Sequence, residues 1–388
     1  MKSRHPSHAA LAVAVISAVL SVASVTSARG ADSPRPSRSV GAAAPGSWRI
    51  TPSGTAQPLF AVSCFDALRC KAVGAGGTIR YTKDAGKTWR AQSNPFASSS
   101  TNLYRISCLG RSTCYVIGRP NLVLVTHNGG VSWSVHVIPL SGVTSSLTDT
   151  ACVSGQEGDL RNKPALCRLG LLDLACISTS TCYVVATPSA IYLTTDGGAT
   201  WLQQAIPATS PCQGVCGATG FPYPLEWISC LGYFCRAGGS TFIGSHEGYA
   251  SRVLAARRPG APWTPAKNSY LRTSPDTVVC PSISRCYGIW STSPFAPGND
   301  VFLSKDGGGD WAQKSSGSSK IRNAIACPGA RTCYTVGSQG TITASVNGSP
   351  FAAQKSPTSH DLYGITCVNL TTCFSVGNKG TIVSRTSP

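Results

Sequence analysis

Seven times along the 388 residues two cysteines recur at nearly constant spacing, and this recurrence commits the chain to a repeat architecture. Six pairs enclose five residues each: Cys64 and Cys70, Cys108 and Cys114, Cys176 and Cys182, Cys280 and Cys286, Cys327 and Cys333, Cys367 and Cys373. The seventh, Cys230 and Cys235, encloses four. Around each pair lies a unit of roughly 40 to 50 residues. In the clearest copy, which begins at Leu103, four short β-rich runs are separated by turn residues, and these runs are strands a to d. The cysteines close strand a and open strand b, where a tight turn brings them to cross-strand distance. One small disulfide per unit is therefore expected, each worth about 2 to 3 kcal/mol through restriction of the unfolded chain. Zinc is the rival reading, but the spacing exceeds that of metal knuckles and the six histidines do not follow the cysteines.

A second feature recurs between strands c and d. It reads TKDAGKTW from Thr82, THNGGVSW from Thr126, TTDGGATW from Thr194 and SKDGGGDW from Ser304. Asp84, Asn128, Asp196 and Asp306 are placed to bond the amides of their own turn, and the following glycines supply positive φ. Trp89, Trp133, Trp201 and Trp311 return to pack. Weaker boxes are read at Ser345, Asn347 and Gly348, and around Ser245 to Tyr249 in the fourth unit. The pattern resembles the Asp box of the bacterial neuraminidase repeat, over the stretch from about Trp48 to the C-terminus. That resemblance implies the all-β propeller of sialidases, sortilin-type receptors and bacterial photosystem II stability and assembly factor-like proteins. Seven four-stranded antiparallel blades are expected over residues 47–388. The last unit stops after strand c, and Ser47 to Ile50 read as the orphan strand d that closes the ring and protects its edges.

Ahead of the ring, Lys2 and Arg4 precede an apolar run from Ala9 to Val25 and then small residues, so residues 1–28 read as a secretory signal. A retained membrane anchor is the alternative; no later segment could span a bilayer. Residues 29–46, rich in Pro, Ser, Ala and Gly, read as a disordered linker. Export agrees with the even count of 18 cysteines, which makes disulfides the expected state. The formal charge of +18 favours polyanions, but its even spread and the lack of a binding motif argue against specific nucleic-acid readout.

Strand alternation places the a–b and c–d turns on one face of the disc and the b–c turns and d–a connections on the other. The first face is scaffolding by this reading. Insertions gather on the second, from Thr144 to Asp173 and from Thr209 to Trp227, with Cys152 and Cys167, then Cys212 and Cys216, read as local pairs. The stretch Arg257 to Asp276 and the loop Trp290 to Asp300 join them. Residues just before each strand a should ring the channel mouth there: Phe60, Tyr104, Arg105, Leu172, Asp173, Glu226, Trp227, Asp276, Arg322, Asn323 and Tyr363. In the functional reading Arg105 and Arg322 hold a carboxylate or sulfate while Trp227, Tyr104 or Tyr363 stack on a sugar. An ordinary wet channel with incidental ion pairs is the alternative for each residue.

A sialidase would need an arginine cluster, a tyrosine nucleophile with its glutamate and an acidic proton donor. The chain has three glutamates, Glu157, Glu226 and Glu247, and no Arg-Ile-Pro element. The expectation is therefore a secreted, monomeric, non-catalytic binding module without metal or cofactor, with a glycan, cell-envelope polyanion or protein as partner. A sialidase-like glycoside hydrolase is the alternative.

Overall fold

The computed structural model describes residues 46–386 apart from 120, 141–169, 188, 208–224, 245–247, 267–274, 276 and 290–299. Cys152, Cys167, Cys212 and Cys216, the leader and nearly all of the linker lie outside the described residues. The expected seven sheets of four antiparallel strands are present, six of them with their strands in chain order. Blade 1 comprises Leu59–Cys64, Cys70–Gly74, Ile79–Thr82 and Arg90–Ala91. In blade 7 the outermost strand is Trp48–Thr51, paired antiparallel with Ile382–Arg385 from Trp48 opposite Arg385 to Thr51 opposite Ile382. The two ends of the ring thus share one sheet, as expected for closure.

The core lies between blades. Strand b is an unbroken run of buried residues because neighbouring blades cover both its faces, and alternate side chains go to opposite neighbours. In Thr113–Gly118, Cys114 and Val116 pack with blade 1, whereas Tyr115 and Ile117 pack with blade 3. Each of the seven blade-to-blade interfaces has its own apolar cluster. All seven expected small disulfides are formed, with Cα atoms 3.9 to 4.1 Å apart.

At four interfaces the same joint links a disulfide loop to the blade before it. Tyr115 Oη donates to the carbonyl of Thr179 at 2.7 Å, Tyr287 Oη to Ala330 at 3.3 Å, Tyr334 Oη to Leu370 at 3.2 Å, and Arg236 Nη2 to Ile283 at 2.6 Å. In every case the donor directly follows the second cysteine of one blade, and the acceptor is the third residue after the first cysteine of the next. Lys71 makes the corresponding reach from blade 1, donating to Gly129 at 2.9 Å, and burial pushes its ammonium down to about 8. Tyr183 packs edge-on against Trp263, with ring centroids 5.5 Å apart, where the blade 4 loop is one residue shorter. Phe374 closes the ring through Trp89, at 6.2 Å, without a polar bond.

The c–d turns form the other half of the joint. Thr82 Oγ1 donates to Asp84 at 2.7 Å and accepts the Gly86 amide at 3.0 Å, while the Thr88 amide donates to Asp84 at 2.9 Å. The same pattern repeats at Thr194 and Asp196, at Ser304 and Asp306, and with the Asn128 amide in place of a carboxylate. These bonds hold the Asp84 and Asp196 carboxyls down to about 2, the Thr88 and Thr200 hydroxyls being the largest cause. Gly86 has φ +79°, and a Cβ there would lie 2.5 Å from the Phe374 ring, so the glycine makes room for the side chain arriving from blade 7. One residue earlier, the amides of Ala85, Gly129, Gly197, Gly307 and Gly348 bond the disulfide loop of their own blade.

The fourth box is corrected. Gly248 and Tyr249 open strand c, Gly248–Ala256, which pairs with strand b, Phe234–Gly244, so the c–d turn lies further on, while residues 245–247 lie outside the described residues. The c–d turn runs from Arg257 to Pro262 and ends at Trp263, which is 2% exposed and packs as the other box tryptophans do. Phe351 fills that place in blade 6 and Trp48 in blade 7. Tyr287→Phe and Tyr334→Phe should each lower the unfolding free energy by about 1 kcal/mol. Urea denaturation checks this, and an unchanged midpoint for both variants would show that the joint bonds add nothing.

Candidate functional site

Strand a runs along the central axis, and its first residues open onto a cavity of about 460 Å³ that is contributed by all seven blades. Position along strand a decides what each side chain does. Five residues before the first cysteine, the side chain is core: Leu59, Leu103, Leu171, Leu225 and Leu362 are buried. Four before, and three before in every blade but the fourth, the residue lines the mouth, where a bulge in most strands displaces the backbone. Two before, the residue is Val, Ile or Leu in every blade, from Val62 to Ile365, and these form an apolar waist.

This register sorts the expected residues. Tyr104, Arg105, Asp173, Glu226 and Tyr363 line the cavity together with Phe60, Leu172 and Asn323. Arg322 does not. It occupies the core position that leucine holds elsewhere, fully buried, and its guanidinium donates to the carbonyls of Ser316 at 3.0 Å, Ser318 at 3.2 Å and Lys320. Burial lowers its pKa to about 10. Its expected role as an anion holder at the mouth is thereby corrected: the charge is spent on the connection between blades 5 and 6. Trp227 is also corrected, since it is 1% exposed and packs between blades 4 and 5 with Val253, Val278 and Cys286. Asp276 and the two insertions with their extra cysteines lie outside the described residues. Sequence reasoning missed Arg119, whose guanidinium lies 5.3 Å from the Tyr104 ring centroid. It follows Gly118 at the end of strand b, and the rule that b–c turns share the face of the strand a starts was the signal that could have found it.

The mouth has two unlike sides. Tyr363, Phe60 and Tyr104, from blades 7, 1 and 2, form an aromatic wall, with Phe60 stacked on Tyr104 at 5.3 Å and tilted against Tyr363 at 6.0 Å. Opposite it, Arg105 Nε donates to Asp173 Oδ1 at 3.2 Å, and the other Asp173 oxygen accepts the Ile228 amide at 3.0 Å. Asp173 therefore ties blades 2, 3 and 4 around the channel. Burial raises its carboxyl above the usual range, against the opposing pull of Arg105 and the amides. Glu226 joins this side, and Arg119, with its guanidinium over the Tyr104 ring, lies where the two sides meet. The arrangement offers an apolar surface beside charges of both signs; among the described residues no group of His, Cys, Asp or Glu is placed to hold a metal.

These features define a seven-bladed propeller of the Asp-box type with an aromatic and mixed-charge channel mouth. Residues 41–143, the first two blades, match the family model described as photosynthesis system II assembly factor YCF48. No curated protein matches the chain. Among solved structures it is similar to YCF48 bound to D1 peptide, at 16% identity and TM-score 0.61, covering 89% of this chain and 100% of that one. YCF48 from Cyanidioschyzon merolae gives 17% identity and 0.61, covering 88% and 98%. A virginiamycin B lyase from Staphylococcus aureus gives 9% and 0.59, covering 88% and 100%. At these identities the likeness shows the fold.

Because the folded-state carboxyl of Asp173 is raised, its contribution to stability is fully present below the ordinary value of 3.8 and is lost as pH rises through the folded value. Asp173→Asn keeps an acceptor for the Ile228 amide without the buried charge. Its melting temperature should match the parent in acid and exceed it toward neutral pH. A variant less stable than the parent at neutral pH would show that the ion pair with Arg105 outweighs burial.

Proposed function

We propose that this chain is an exported, non-catalytic propeller that holds a polypeptide segment of a partner protein at the channel mouth. The observation that carries this reading is the pairing of the Tyr363, Phe60 and Tyr104 wall with Arg105, Arg119, Asp173 and Glu226 across one cavity. A peptide offers apolar side chains, amides and charges of either sign, and so can use both sides. An anionic polymer would meet Asp173 and Glu226 as repulsive neighbours, which makes it the poorer fit to this mouth. The cavity volume falls in the range of about 300 to 1,000 Å³ usual for ligand sites. Similarity to a YCF48 structure described as bound to a peptide supports the reading, and the matched segment contributes Phe60, Tyr104, Arg105 and Arg119.

The hydrolase alternative loses one of its two arginines, because Arg322 faces away, while Arg105 is engaged by Asp173. Tyr104 is packed against Phe60, with the Arg119 guanidinium on its ring. An unbiased peptide library and a glycan array, probed with residues 29–388 at low and high salt, test the proposal. Peptides should be enriched, and Arg105→Ala and Tyr363→Ala should each weaken them by about ten-fold or more. Retention of glycans alone, or peptide binding untouched by both variants, would contradict the reading. Turnover of a fluorogenic sialoside that disappears in Tyr104→Phe would contradict its non-catalytic part.

A further inference from the structure

The face opposite the mouth carries the disulfide loops and c–d turns, and its surface is unlike the rest of the ring. Of the twelve large apolar side chains exposed among the described residues, seven stand on these loops. Leu68, Leu231 with Tyr233, Ile283 and Leu370 sit on the disulfide loops of blades 1, 4, 5 and 7, while Val131 and Val346 sit on the c–d turns of blades 2 and 6. Val131 is 87% exposed. Most of the others lie on outer strands d, where an exposed edge accounts for them.

The same loops carry exposed cations, Lys83, Lys87, Arg111, Arg257, Lys305 and Arg331. Among the described residues none of these six takes part in an ion pair. Of the acidic groups on these loops, Asp84, Asp196 and Asp306 are held by their own turns and Asp66 by Arg69, which leaves the exposed Asp310 among a majority of cations. Scattered surface apolar groups need no explanation, but repetition on one rigid face among unpaired cations does. The chain also enters the ring here. Trp48 lies opposite Arg385, which pairs with the Cys373 end of blade 7, and the Gly46 carbonyl accepts Arg385 Nε at 3.0 Å. Gly46, the first described residue, therefore lies on this face.

We propose that this face docks on an anionic lipid bilayer. The apolar tips enter the interfacial layer and the cations meet headgroup phosphates, with the channel mouth turned away from the lipid. A soluble anionic polymer would satisfy the cations and leave the apolar tips without a partner. The disulfide loops and their joints fix both sets in advance, so little ordering entropy opposes docking.

Co-sedimentation of residues 29–388, which contain every strand of the closed ring, with vesicles tests this. Vesicles of phosphatidylcholine mixed with phosphatidylglycerol should pellet the protein, and phosphatidylcholine alone should not. A tip variant, Val131→Ser with Ile283→Ser and Leu370→Ser, and a charge variant, Lys83→Glu with Arg111→Glu and Arg331→Glu, should each bind about ten-fold more weakly or worse. All six side chains are exposed, and circular dichroism with a melting curve verifies folding; if the charge variant unfolds, the tip variant alone decides. No sedimentation with anionic vesicles would overturn the proposal. So would a tip variant that binds them like the parent, which would leave a plain cationic surface for a polymer or an acidic protein. Peptide binding at the mouth is read separately, so the two proposals fail independently.

Discussion

The bond from the residue after one blade's second cysteine to a carbonyl in the next blade's disulfide loop is the contact on which the architecture turns. A propeller blade buries both faces only through its neighbours, so the ring is as firm as the least secure of its seven interfaces. Here the loop that carries the acceptor is held from three directions: by its own disulfide, by the c–d turn amide on the residue after the acceptor, and by the arriving side chain. The Asp boxes and the cysteine pairs, two separate motifs in the sequence, are halves of one mechanical part.

Blade number, strand order, cysteine pairing and closure by Trp48 were legible because each repeats at a spacing that one local geometry explains. The fourth box was not, because blade 4 carries a longer hairpin that moved its turn beyond the expected place, and Trp263, which keeps the positive-φ Gly260 three residues before it, has Arg258 and Ala256 where the other boxes have Asp or Asn and Thr or Ser. The mouth was legible to within one residue. Tyr104, Arg105, Asp173, Glu226 and Tyr363 fell where strand counting placed them. Arg322 did not, since nothing in a single repeat says that an arginine has taken the leucine position; only comparison with Leu59, Leu103, Leu171, Leu225 and Leu362 reveals it. Trp227 was misjudged because its large apolar ring is taken up by the blade 4–5 interface, with Val253, Val278 and Cys286, at a position where Arg105 and Asp173 line the channel.

Two faces with different chemistry follow from one repeat. On the mouth side, the strand a starts differ from blade to blade, and the channel acquires an aromatic wall and a charged wall from different sectors of the ring. On the other side, the loops are alike in backbone because most serve the joint, while their outermost side chains are free to vary. Rigidity needed for folding thus presents both surfaces in fixed geometry, the condition under which modest contacts bind selectively.

The central claim is that the disulfide loop of one blade positions the strand b of the blade before it. Hydrogen–deuterium exchange on the Cys327→Ala, Cys333→Ala variant tests it most directly. The account predicts faster exchange in Cys286–Ile289 of blade 5, which Tyr287 ties to Ala330, and in the c–d turn of blade 6 as well as in the loop itself. An increase confined to residues 327–333 would contradict it.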